Sequence, residues 1–160
     1  MPANDTSASN GKKPSYKSRK KNDSLENFGH LQPQAVELEQ AVLGALMIER
    51  DAYYQVSEIL RPESFYDNRH QIIYEAIRRL NLEEKPVDIL TVTEALRNTN
   101  QLEEAGGPFY ITQLSGMVAS SAHIEYHARI IAQKATARAL ISYTSGIQTK
   151  AFDATTDIDV

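Results

Sequence analysis

The sequence predicts an all-α fold, a globular multi-helix head followed by one long helix. Three observations predict it. From residue 34 onward, apolar residues recur at three- and four-residue spacing almost throughout. Aspartates, prolines and a Gly-Gly pair cut that pattern into short helices. Beyond residue 119 the cuts cease, and the helical pattern runs on without a breaker to Phe152.

The elements follow in order. Residues 34–49 form the first expected helix. Leu38, Val42, Ala45 and Ile48 share a face, and Leu43, Leu46 and Met47 widen it. Glu37 and Glu39 stand in its first turn, where the helix dipole favours acids. Gly44 in mid-helix costs about 1 kcal/mol against alanine and marks the close approach of another helix. A short helix is expected over 52–60, with Tyr53, Val56, Ile59 and Leu60 inward. Arg61-Pro62 ends it, because a residue before proline avoids helical backbone. Asp67 caps a helix over 68–82, whose buried stripe is Ile72, Ile73, Ala76, Ile77 and Leu80. Phe65 and Tyr66 pack back across that cap. After the turn at Glu84-Lys85-Pro86, Asp88 caps a helix over 89–98 that turns Leu90, Val92 and Leu96 inward; Thr91 with Glu94 is a rival capping box. Gly106-Gly107 breaks the chain, and Pro108 suits the first turn of a helix over 108–117. Its inner face holds Ile111 and Leu114, with Phe109 and Met117 beside them.

Ser120 or Ser121 caps the last helix, which runs to about Phe152 and is roughly 45 Å long. Ile124, Ala128, Ile131 and Ala135 mark one face; Ile130, Ala137, Leu140, Ile141 and Ile147 mark another. A helix apolar on two sides needs a partner beyond the head: a hairpin mate, another subunit, or both. Asp153 to Asp157 reads as a turn, and the sequence stops at Val160 where another helix begins, so the long element reads as truncated.

Composition bounds the chemistry. There is no cysteine, which excludes disulfides, thiolate metal sites and a cysteine nucleophile. No apolar run is long enough to cross a membrane, and the polar N-terminus is no signal peptide, so a soluble, cytoplasmic protein is expected. Residues 1–30 carry Lys12, Lys13, Lys17, Arg19, Lys20 and Lys21 and a net charge of +3; residues 31–160 carry −7. The leader has almost no aliphatic side chains and reads as a disordered, solvated segment. An acidic body argues against a broad DNA-binding surface.

Catalytic motifs are missing. No G-x-x-x-x-G-K-[ST] phosphate loop, G-x-S-x-G or H-E-x-x-H is present. His123 and His127 share a helix face, but a zinc site needs at least a third ligand, and none follows nearby. His70 reads as a partly buried hydrogen-bonding residue, with no partnered acid evident. The tyrosines lack interleaved Lys/Arg and read as core edges and interface anchors rather than base-stacking platforms. No catalytic, cofactor or metal residue is therefore expected.

Five blocks, in order, resemble the N-terminal domain of the bacterial replicative helicases of the DnaB family. Pro33 to Gly44 is similar to that family's P-x-x-x-E-x-E-Q-x-V-L-G signature, through Glu37, Glu39, Gln40 and Gly44. Phe65-Tyr66 with His70, Ile73, Tyr74 and Ile77 is similar to a second block. Pro86-Val87-Asp88 with Thr91 and Leu96 resembles a third, and Gly106-Gly107 with Tyr110, Ile111 and Leu114 a fourth. Tyr126, Ile130, Ile131, Lys134, Ala135, Arg138, Leu140 and Ile141 are similar to the start of the family's helical hairpin.

The resemblance covers about residues 31–152. It implies a globular helical head, placed over 31–118, that continues into a helical hairpin. Residues 119–160 hold the long helix and the start of that hairpin, whose truncation departs from the family, and the leader of residues 1–30, disordered by its composition, lies outside the match. It implies a collar domain of a hexameric ring that self-associates as dimer, trimer or hexamer through its hairpins, docks primase and contacts a helicase loader. ATP, Mg and most DNA contacts would belong to a C-terminal motor that this chain lacks. The expected subunit interface is Ile130, Ile131, Ala137, Leu140, Ile141 and Ile147. Competing readings are the helicase-binding module of a primase, a DNA-contacting accessory domain acting through the basic leader, and an enzyme using His123 and His127.

Overall fold

The computed structural model describes residues 31–117 and 121–152. Among them are six α-helices and no strand: α1 (Val36–Ile48), α2 (Ala52–Val56), α3 (Asn68–Leu82), α4 (Ile89–Asn98), α5 (Gly107–Gly116) and α6 (Ile124–Phe152). Short 3-10 turns at Pro62–Ser64 and Ser121–His123 precede α3 and α6. The leader and the turn expected after Asp153 lie outside the described residues.

Local chemistry sets the boundaries. The Asp67 carboxylate accepts the Arg69 backbone N–H at 2.9 Å and caps α3. Asp88 and Thr91 form a reciprocal box at the start of α4: Thr91 N–H donates to the Asp88 carboxylate at 2.8 Å, and Asp88 N–H donates to the Thr91 hydroxyl at 2.9 Å. Asp88, not Thr91, is thus the cap, and Glu94 pairs instead with Arg97. Gly106, at φ 97°, turns the chain into α5 through the left-handed region. A Cβ there would lie 2.8 Å from the Tyr110 ring.

α1 is the central post. Val42 to Met47 are buried without a break, because α3, α5 and α6 pack around it. Gly44 is buried in the middle of that run. The core is completed by Phe65, Ile73, Tyr74 and Ile77 around α3, Val92 and Leu96 of α4, Ile111 and Leu114 of α5, and Ile124, Ala128 and Ile131 of α6.

Several expectations are corrected. The second helix stops at Val56, and turns carry the chain to Leu60. Leu90, Phe109 and Met117, expected inward, are exposed. On α4 only Val92 and Leu96 share the inner face; Leu90 precedes Val92 by two residues and points to nearly the opposite side. Ile48, the last residue of α1, is exposed as well.

Candidate assembly interface

Three polar side chains stand on apolar stripes of three helices. Glu39 shares a face of α1 with Val42, Leu43 and Leu46; His70 precedes Ile73, Tyr74 and Ile77 on α3; Tyr110 precedes Leu114 on α5. The fold brings them together, with Glu39 and His70 wholly buried. The Glu39 carboxylate accepts the backbone N–H of Tyr66 at 2.7 Å and of Asp67 at 3.3 Å. His70 Nδ1 lies 2.7 Å from the same carboxylate, and Nε2 lies 2.6 Å from the Tyr110 hydroxyl. With Nδ1–H donating to the carboxylate, Nε2 accepts the phenolic proton, and the phenolic oxygen accepts from Gln40 Nε2 at 3.4 Å. Among the described residues, no buried side-chain nitrogen or oxygen lacks a partner.

The acid that partners His70 is therefore Glu39, 31 residues earlier, which the sequence reading missed. The signal was present: Glu39, His70 and Tyr110 each interrupt an apolar stripe, and each belongs to a family block. A fully buried histidine offers no access to substrate, so the relay joins α1, α3, α5 and the turn before α3 and acts as a structural tie. Arg69 covers it from outside, its guanidinium 4.3 Å above the Tyr110 ring and ion-paired with Asp67. That pairing holds the Asp67 carboxyl below its ordinary value.

A second tie fixes the long helix. Arg138 donates from Nη1 to the Pro33 carbonyl at 2.8 Å and from Nη2 to the Ser64 carbonyl at 2.7 Å. Its guanidinium also lies 5.5 Å from the Tyr66 ring centre. One side chain thus pins α6 to the strand of chain leading into α1 and to the turn before α3.

Beyond Arg138, every side chain of α6 is exposed. At 100° per residue, Ile130, Ala137, Leu140, Ile141 and Ile147 fall within an arc of about 120°, on the side away from the head. Leu140 is 63% exposed, Ile141 47% and Ile147 54%; Ile130 and Ala137 are half-buried. Ile131 departs from the expected set. It is 1% exposed, on the head-facing side with Ile124 and Ala128, and serves the core. Glu37 is exposed in the first turn of α1. His123 is exposed and His127 half-buried; no cluster of three or more metal-binding side chains occurs among the described residues.

Residues 31–133 match the family described as the DnaB-like helicase N terminal domain. The chain belongs to that family. It is 52% identical over 132 residues to the replicative DNA helicase DnaB of Rhodothermus marinus, covering 82% of this chain and 14% of that relative. The crystal structure of the N-terminal domain of DnaB helicase from Mycobacterium tuberculosis superposes with a TM-score of 0.77 at 33% identity, covering 80% of this chain and 90% of that one. A DnaB-like replicative helicase whose structure was described with its interactions with primase superposes with a TM-score of 0.64 at 28% identity, covering 72% of this chain and 27% of that one.

In this DnaB-type domain, the residues that carried the resemblance are mostly ties of the fold. Glu39, Gln40, His70 and Tyr110 form the relay; Phe65 is core; Tyr66 and Arg138 close the joint with α6; Asp88 caps α4; Gly106 and Gly107 turn the chain at positive φ.

Proposed function

We propose that this chain is the N-terminal collar module of a replicative DNA helicase, serving ring assembly and the docking of primase in DNA replication. The carrying observation is the aliphatic arc of α6, facing away from a head whose own core is complete without it. Exposed apolar surface of this extent on one side of a helix is the mark of an interface. On this reading residues 31–118 are the head, and residues 119–160 begin a hairpin that meets its counterpart on a second copy. The module itself is non-enzymatic and needs no cofactor. Unwinding, ATP, Mg and most DNA contacts belong to a C-terminal motor of the full-length, cytoplasmic parent. Docking of primase is supported by the fold's likeness to a DnaB-like replicative helicase described with its interactions with primase; a loader is a further expected partner.

Light scattering on a sizing column, across a range of concentrations, tests the assembly. The expected result is a dimer, trimer or hexamer. Ile141→Asp and Ile147→Asp should each convert it to monomer with unchanged helical circular dichroism. Assembly that survives both substitutions would move the interface off this arc. Titration calorimetry with the C-terminal region of a cognate primase tests docking, and absence of heat with the assembled chain would remove that part.

A further inference from the structure

α1 and α3 run parallel. Glu39 meets His70 near their starts, and Met47 and Asn81 border one groove near their ends. That groove has a volume of about 780 Å³, within the range of sites that take a ligand or several partner side chains. Its apolar lining is Met47, Ile48, Tyr54, Pro86 and Val87, with Ile48 55% and Tyr54 72% exposed. Single exposed apolar residues are ordinary. These share one concavity, at the end of α1 opposite the Arg138 tie.

Charge decides what fits. Asp51, Glu84 and Asp88 border the groove against Arg50 and Lys85. Lys85 is already engaged by Glu83 at 2.6 Å, and the Asp88 carboxylate is engaged in capping α4. Asp51 and Glu84 pair with no base among the described residues. α1 ends here with no basic residue in its last turn, and Arg50, two residues past its end, is the base that stands against Asp51, Glu84 and Asp88 on this border. Glu84 also holds an unusual place. It lies at φ 55°, where the Lys85 N–H reaches back to the Leu80 carbonyl at 2.9 Å. Glycine or asparagine favours such a helix end, and α4 closes the same way with Asn100.

We propose that this groove docks a basic amphipathic segment of a partner protein. An apolar anchor of that segment enters between Ile48, Tyr54 and Val87, and its lysine or arginine side chains meet Asp51 and Glu84. The occupant follows from the charge balance of the border and is independent of the assembly proposed for α6.

The test uses the isotope-labelled chain and two synthetic peptides. One carries leucines at three- and four-residue spacing with lysines elsewhere; the other carries glutamates in place of the lysines. The lysine peptide should shift the backbone amide resonances of Ile48, Tyr54, Glu84 and Val87 saturably, and the glutamate peptide should not. Tyr54→Ser should weaken binding about tenfold through lost apolar burial. Glu84→Gly should weaken it roughly two- to fivefold, the range of one exposed ion pair. Because Glu84→Gly relieves a left-handed backbone, its melting temperature should hold or rise while binding falls, which separates docking from folding. Equal binding of both peptides, or shifts scattered over the acidic surface, would overturn the proposal. So would shifts at these residues driven by protein concentration alone, which would make the occupant a second copy.

Discussion

Glu39 accepts three hydrogen bonds from three places in the chain, at Tyr66, Asp67 and His70. Truncating it leaves two backbone donors and a histidine buried without an acceptor. Leaving buried donors of this kind unsatisfied costs about 1–3 kcal/mol. Glu39→Ala should lose that much in urea denaturation, and Glu39→Gln less, since an amide oxygen still accepts. A loss below about 1 kcal/mol for the alanine variant would show the relay to be idle. Asp67 makes a smaller, pH-dependent contribution. Its hydrogen bond and ion pair with Arg69 depress its folded pKa, so the stabilisation is complete above the ordinary carboxylate value. It is lost as pH falls through the depressed one. Melting temperature followed downward from pH 6 should drop through this window in the native chain. In Asp67→Asn, which keeps the cap but not the charge, this component should be absent.

At the scale of elements, α6 is held in two ways. Ile124, Ala128 and Ile131 bury its first turns against the head, and Arg138 secures it farther along. The planar fork of arginine reaches two carbonyls at once; a lysine ammonium is a point charge on a flexible stem. Arg138→Lys should therefore keep one tie and lose about 1.5–3 kcal/mol, the range for hydrogen bonds to charged groups. Hydrogen exchange of the amides around Ser64 and Tyr66 should accelerate with it, and unchanged exchange there would show that the turn is held by other contacts.

Over the whole molecule, what the sequence made legible was local. The bounds of α3 and α4 agree with the expected ones because Asp67, Asp88 and Pro86 act within one turn of chain. The division of α6 into two apolar faces was legible from its period. Which face met the head was not: Ile131, grouped by its period with Ile124 and Ala128, was also counted in the expected interface, and only packing against α1 decides that it serves the core. Glu39 looked like a first-turn acid because its partners lie 27 to 31 residues away. Phe109, Leu90 and Ile48 were assigned inward on hydrophobicity alone, which does not count how many sides of a short helix find neighbours.

The single unbroken course of α6 has a mechanical consequence. From Arg138, its last anchor, to Phe152 the helix extends about 21 Å. A stiff rod pivoting on that pin converts a tilt of about 10° into a sideways travel of roughly 4 Å at its tip. A shift too small to disturb the core could thus move a neighbour by most of a helix turn, with Arg138 as the fulcrum.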